Sequence, residues 1–492
     1  MSRNKLTKEK FELAKSHFLG GLECFNKKMF VEAESLFRKS LLIIPDREST
    51  LTNLSATLVK LKKYLEAEKI LKNVLEINNR NQEAWLNLGN VYVETDREEQ
   101  ALTSYDKALS IVPEYAEAWS NRGKALLGIN KSAQALASYD KAISLKPDYA
   151  EAWYNRGVLL SKLKYYDQSL ASYDNAISLK HNYHSALWNK SLVQLLTGDF
   201  SRGWANYEYR WLRDNAKDKH HQNFPDFTSL HDFGSSTVLV WWEQGLGDTI
   251  QFSRYTRLLS ELGANVVFDV QKPLKSLLQH SFPGIRVITR DEPLSGIDFQ
   301  IPLMSLPGLF SADLSNIPSS QGYLKAVPEN IDLWRAKLNL SSSKPNIGIA
   351  CSGNKNHDND KNRSMALSLF QPLLDMANLF LLQKDIRDSD KDFLSDHPQI
   401  KFLGDQISTF EDTASIVELL DLIVTVDTSL VHLSGALGKP AKVLVTWDPE
   451  WRWLLDRKDS PWYHSIRVFR QPNLGDWKSV IQDVIFDLNR NA

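Results

Sequence analysis

Cysteine is scarce in this chain of 492 residues: only Cys24 and Cys351 are present, each inside an apolar run and neither in a paired or metal-ligand spacing. That argues against a disulfide framework and against a zinc site. An excess of charge of one sign is lacking too. The formal net charge of -1 leaves no electrostatic footprint for gripping a phosphate backbone, which argues against nucleic acid as a partner. Nowhere do about 18 uncharged apolar residues run together, and the N-terminal stretch MSRNKLTKEKFELAKSHF has no apolar core of a secretion signal. We therefore expect a cytoplasmic protein without a transmembrane segment, with a membrane-peripheral position left open. What remains is an ordinary globular composition, 42% hydrophobic and 24% charged, in a chain too long for one core. Two or three folding units are expected.

The N-terminal part of the chain repeats itself. Trp85, Trp119 and Trp153 recur with one fixed spacing, each followed by Gly89, Gly123 and Gly157, and Leu51 and Leu187 extend the phase in both directions. A second column of small residues, Ala33, Ala67, Ala101 and Ala135, precedes the aromatics Tyr105, Tyr139 and Tyr173, and Pro45, Pro113 and Pro147 stand where a helix must stop. A fixed period of about 34 residues predicts stacked helical hairpins. The residues resemble the tetratricopeptide repeat family over about six repeats. The last is degenerate: Gly203 takes the small-residue position, and Trp204, Tyr207, Tyr209 and Trp211 are added, as suits a terminal repeat docked on a following domain.

One polar column stands out. Asn53, Asn87, Asn121, Asn155 and Asn189 share one phase of the first helix in five repeats. Amides both donate and accept, which suits an extended peptide acceptor, and the column resembles the asparagine ladder of the O-linked N-acetylglucosamine transferases. The other reading, bonds to neighbouring backbone within the array, stays open.

After the polar connector KDKHHQNFPDF the periodicity changes to short apolar runs alternating with amphipathic segments, as βαβ units read. TVLVWW, ANVVFDV, IRVIT and DFQIPL predict strands of a first unit; PNIGIACS, LFLLQ, IKFLG, LIVTVD and AKVLVTW predict strands of a second.

Two loops carry chemistry. In VLVWWEQGLGDTIQ, Gly245, Gly247 and Asp248 lie between a strand and a helix, where backbone amides and a carboxylate gather at the helix start. Ile250 replaces the third glycine of a dinucleotide fingerprint, so no nicotinamide or flavin cofactor is expected. Asp248 also fits a plain helix cap. In LIVTVDTSLVHLSGALGKP, a buried strand delivers Asp427, Thr428 and Ser429 to a turn, with His432 one helical turn on. Hydroxyls and free amides at a helix start suit a diphosphate, which also gains from the helix dipole.

Together these motifs resemble the inverting glycosyltransferases of the lipopolysaccharide heptosyltransferase type, which have the GT-B fold. The tail WRWLLDRKDSPWYHSIRVFRQPNLGDW is similar to that of bacterial fusions of tetratricopeptide repeats to such a domain. The resemblance implies that Asp248 is the general base and that Thr428, Ser429 and His432 contact the donor phosphates. It also places Gly353 and Arg363, in the loop SGNKNHDNDKNRSM, beside those phosphates, although this family more often presents a lysine there. Asp358-Asn359-Asp360 in that loop reads as a solvated segment rather than a metal site, and no metal is expected. Gln383, Asp412 and Thr413 fit either nucleoside contacts or structural chain ends. Trp447, Trp451 and Trp453 read as aromatics that seal a lobe interface.

The expected organisation is an all-α tetratricopeptide superhelix over residues 1–215, a linker at 216–235, a first Rossmann-like lobe on the acceptor side at 236–335, a second on the nucleotide-sugar side at 336–470, and a C-terminal helix at 471–492 that returns to the first lobe. The expected function is metal-independent, inverting transfer of a sugar from a nucleotide-diphosphate donor to an acceptor, a protein or peptide among the candidates, recruited by the repeats. The alternative is a non-catalytic scaffold carrying a nucleotide-sugar-binding domain.

Overall fold

The computed structural model describes residues 7–213, 216, 219–231, 234–319, 322–338, 340, 343–356 and 359–491. The chain divides into two compact units, Met1–Ala186 and Leu187–Ala492.

In the first unit, α1 (Lys8–Asn26) and α2 (Phe30–Ile43), α3 (Glu48–Lys60) and α4 (Tyr64–Ile77), α5 (Gln82–Val93) and α6 (Glu98–Ile111), α7 (Ala116–Gly128) and α8 (Ser132–Leu145), and α9 (Ala150–Lys162) and α10 (Tyr166–Leu179) form successive hairpins. The glycine column makes them close-packed. A Cβ at Gly89, Gly123 or Gly157 would stand 2.4, 2.7 or 2.8 Å from the ring of Tyr105, Tyr139 or Tyr173, so the ring of the second helix lies flat on the backbone of the first. The tryptophan column staples each repeat to the turn before it: the indoles of Trp85, Trp119 and Trp153 donate to the carbonyls of Asn79, Pro113 and Pro147 at 2.9 to 3.0 Å. Each hairpin turns through a left-handed residue, Lys28, Lys62, Asp96, Asn130 and Lys164, again at the period of the repeat.

A sixth pair, α11 (His184–Leu196) and α12 (Phe200–Tyr207), follows the same pattern, but the division between units falls near the start of α11, not at 215. The reason is the added aromatics. Trp204 donates to the Ala312 carbonyl at 2.9 Å and meets Trp451 edge-on at 5.3 Å, so α12 belongs to the α/β core.

The second unit holds two parallel sheets. The first contains β1 (Thr237–Trp241), α13 (Leu246–Glu261), β2 (Asn265–Asp269), α14 (Lys275–Ser281), β3 (Arg286–Ile288), β4 (Phe299–Pro302) and α15 (Leu306–Leu309), in strand order β3-β2-β1-β4. Then α16 (Pro328–Leu338) leads to β5 (Asn346–Ala350), α17 (Asp360–Arg363), β6 (Asn378–Leu381), α18 (Asp388–Asp396), β7 (Lys401–Phe402), α19 (Phe410–Leu419), β8 (Leu422–Val426), α20 (Ser429–Leu437), β9 (Ala441–Val445), β10 (Ile466–Arg470) and α21 (Trp477–Asn491). The second sheet runs β10-β9-β8-β5-β6-β7, all parallel. Its central strands β5, β8 and β9 are mostly apolar and almost wholly buried, as in a parallel sheet covered on both faces.

Three expectations are corrected. The segment at 216–235 is no free linker: Phe227 N–H donates to the Gln300 carbonyl and Gln300 N–H to the Pro225 carbonyl, both at 2.8 Å, extending the first sheet beyond β4. The boundary expected at 336 falls inside α16, which spans Pro328–Leu338 and packs as a whole on α19 through Trp334 and Asn330. The C-terminal helix does not return to the first lobe. Trp477, Val480, Ile481 and Val484 share one face of α21 and fill the second sheet's own core beside Ile347, Val424 and Leu444, while Asp487 pairs with Lys442 on β9 and Arg467 on β10. The edge strand β10 was not among the predicted strands.

Candidate functional site

Both sheets reverse direction of winding at an inner strand: β1 lies between β2 and β4, and β5 between β6 and β8. In parallel α/β sheets, ligands bind outside the carboxyl ends of strands at such points. The β1–α13, β5–α17 and β8–α20 loops leave those ends.

The first turns of α13 and α20 touch. A Cβ on Gly247 would lie 2.8 Å from His432 Cδ2 and 3.5 Å from Ser429 Cα, so only glycine allows the two helix starts this approach. Farther along α13 the buried Arg254 donates to the carbonyls of Trp462 at 2.6 Å and Pro318 at 3.0 Å, fastening the helix to the loop before β10.

Asp248 stands at the meeting point. Its Oδ2 accepts from Gly245 N–H at 2.9 Å, the cap anticipated for it, and its Oδ1 is ion-paired with Arg452 of the segment after β9. Arg452 is buried, lies over the Trp451 ring at 4.4 Å, and gives Nη1 to Glu450 at 3.2 Å. Burial opposes its charge, but the Asp248 and Glu450 carboxylates hold its pKa above the ordinary arginine range. Sequence reasoning missed Arg452. The signal was present in TWDPEWRW, a cation between two tryptophans just past a strand end.

Thr428 caps α20, accepting from Leu430 N–H at 3.3 Å, and Ser429 is partly exposed. His432 is buried, its Nδ1 3.1 Å from the Tyr463 hydroxyl and its ring stacked on Trp453. Burial, with Arg452 and Arg254 nearby, lowers its pKa well below the usual value, so the imidazole is neutral near pH 7. Asp427 Oδ1 is 3.8 Å from His432 Nε2, and burial, then the Glu450 carboxylate, raises Asp427 to about 6.

Arg363 reaches the same turn: Nη1 donates to the Asp427 carbonyl at 3.4 Å, and its guanidinium covers Gly353, where a Cβ would be 2.7 Å from Nη2. Nε of Arg363 and Nε of Arg452 are both buried with no hydrogen-bond partner among the described residues. Asp248, Gly353, Arg363, Thr428, Ser429 and His432 are thus gathered about two helix starts that present free amides and two guanidiniums, a setting suited to a polyanion.

The nucleoside-side candidates have structural duties. Gln383 Oε1 accepts from Cys351 N–H at 2.8 Å and its Nε2 donates to Ser352 Oγ at 3.1 Å, pinning the end of β5. Asp412 closes the capping box of α19 with Thr409 and accepts from Trp334 Nε1 at 3.1 Å; burial acts to raise its pKa, but these bonds leave it lowered. Thr413 donates to the Thr409 carbonyl at 3.2 Å.

In the repeats, Asn53 donates to Ser49 O of its own helix at 2.8 Å and Asn121 to Asn90 Oδ1 at 2.9 Å. Asn87 and Asn155 share their phase and are partly exposed; Asn189 falls in the other unit. Asp358 lies outside the described residues. Among those described, no group of three or more His, Cys, Asp or Glu is placed to hold a metal ion, and no helix is long and apolar enough to cross a membrane. Two cavities of about 520 Å³ lie elsewhere in the second unit, one beside Lys325, Glu418 and His464, the other beside Trp211, Phe224 and Gln300.

FlbA of Caulobacter vibrioides is 21% identical over 310 residues, 58% of this chain and 52% of that protein, so the chain spans about half the length of the curated relative it matches. Among solved structures, the tetratricopeptide protein TTC0263 of Thermus thermophilus is 22% identical, covering 37% of this chain and all of its own, with a TM-score of 0.36. PilF of Pseudomonas aeruginosa is 20% identical over 42% of this chain and 92% of its own, also with a TM-score of 0.36. Tetratricopeptide repeat models match residues 58–125 and 150–183, and a TPR repeat model matches 129–164. The N-terminal region of about 190 residues is a tetratricopeptide repeat array.

Proposed function

We propose that the second unit is an inverting glycosyltransferase of GT-B type that moves a sugar from a nucleotide-diphosphate donor to an acceptor recruited by the repeat array. The observation that carries this reading is the pair of guanidiniums beside the α13 and α20 helix starts, Arg452 buried and Arg363 partly buried, whose Nε atoms have no hydrogen-bond partner among the described residues. Such donors need acceptors, and a diphosphate offers several.

The reaction requires little else. Asp248 takes the proton of the acceptor hydroxyl, the acceptor oxygen bonds to the anomeric carbon, and the bond from that carbon to the donor phosphate breaks on the opposite face. Its electron pair leaves with the diphosphate. Arg363, Arg452 and the helix starts stabilise the departing charge, so the reading requires no metal.

Nucleotide-sugar hydrolysis by the full chain, with and without Asp248→Ala, tests the reading. Turnover that falls at least about a hundredfold in the variant is expected for loss of a general base. Failure of the wild type to turn over any common nucleotide sugar, with no melting shift from ADP, GDP, UDP, TDP or CMP, leaves a repeat scaffold instead.

A further inference from the structure

Asp248 has neither oxygen free: Oδ2 caps Gly245 and Oδ1 is paired with Arg452. A carboxylate engaged in this way is a poor acceptor for a substrate proton. The pair also joins separate parts of the fold, since Asp248 follows β1 of the first sheet and Arg452 follows β9 of the second. Glu450 holds the far side of the guanidinium, Trp451 supports its face, and its Nε has no partner among the described residues. Arg452 is thus a cation with one satisfied edge and unspent donor capacity, set beside the Asp427–Thr428 turn.

We propose that Arg452 is a donor-gated positioning residue: a nucleoside diphosphate entering between α13 and α20 takes over its guanidinium and so releases Asp248. This rests on the glycosyl-transfer reading and deepens it, because it orders the events at that site. A diphosphate carries more charge than the carboxylate it displaces and accepts in bidentate fashion, so the exchange is downhill once the donor is present. Before that, the base is neutralised and an acceptor hydroxyl alone is not deprotonated. Arg363, which faces the Asp427 carbonyl and Asp360, has no such tie to Asp248 and serves only as a phosphate cation.

Calorimetric titration of the full chain with inorganic pyrophosphate and with ADP, GDP, UDP and TDP separates this from a clamp between sheets. Asp248→Asn removes the competing carboxylate charge and is expected to bind pyrophosphate several-fold more tightly while losing turnover. Arg452→Lys is expected to bind several-fold more weakly, and Arg452→Met roughly tenfold or more. Arg452→Lys and Asp248→Asn decide the matter if Arg452→Met fails to fold. Asp248→Asn binding no more tightly than wild type, or Arg452→Lys binding as wild type does, overturns the gating role and leaves the transfer reading standing. A wild type that binds none of these probes removes the transfer reading itself.

Discussion

Arg210 and Glu243 form a two-point ion pair, Nε to Oε2 at 2.7 Å and Nη2 to Oε1 at 2.9 Å, with each side chain only 4% exposed. Arg210 lies in the helical turn directly after α12, and Glu243 lies in the loop after β1 that leads to Asp248. Glu243 also accepts from Met304 N–H at 3.1 Å, and the next residue, Gln244, donates to the Tyr207 hydroxyl at 2.8 Å. The degenerate repeat therefore holds the site loop in place.

Truncating one partner of a buried pair strands the other charge. Arg210→Met is expected to cost about 3 to 5 kcal/mol, and Arg210→Met with Glu243→Leu to recover most of it. Urea unfolding followed by tryptophan fluorescence measures both; a single-variant loss below about 1 kcal/mol would contradict the assignment.

Asp427 sets a pH dependence. Its folded pKa of about 6 lies above its unfolded value, so the native state binds the extra proton and stability falls as pH rises from the ordinary carboxylate range through about 6. Asp427→Asn removes that penalty. Its gain should be small near pH 4 and reach about 2 to 3 kcal/mol above pH 7, read from unfolding curves across the range. A gain independent of pH counts against a desolvated, charged Asp427.

The ring-on-glycine contact in the repeats predicts its own rescue. Gly123→Ala puts a Cβ 2.7 Å from the Tyr139 ring and should cost about 1 to 3 kcal/mol. The second hairpin carries Ser55 and Leu71 at the same two phases, so Gly123→Ala with Tyr139→Leu should regain part of the loss. Thermal melts of single and double variants provide the comparison.

The left-handed turn residues are a second repeat-wide feature. Lys62 and Lys164 hold φ of 60° and 63°, where a Cβ is strained. Glycine at either position should raise stability by up to about 1 kcal/mol, less the entropy it adds to the unfolded chain. A melting temperature that falls in both variants would show that the lysine side chains themselves contribute there.

Much was legible in the residues. The repeats were, because a helical hairpin is held by contacts within one repeat length, and a column such as Trp85, Trp119 and Trp153 meets the same turn each time. Nine strands were also legible as apolar runs; β10 was not, since Arg467 and Arg470 break its apolar character at the sheet edge. The loops gathering Asp248, Arg363 and Thr428 could be named from strand-to-helix junctions. Arg452 was signalled only by its place between two tryptophans in TWDPEWRW, and nothing local there says which carboxylate it meets.

The same contrast divides the whole chain. Sequence by itself determined the helical period, the run of parallel strands and the polar turns at their ends, since these follow from spacing, side-chain shape and neighbours close along the chain. Tertiary structure alone decided that α12 joins the α/β core, that the connector pairs with β4, that α21 stays on the second sheet and that Asp248 faces Arg452. Those outcomes turn on which distant surfaces bury together and which buried charges find partners, and no local pattern records that choice.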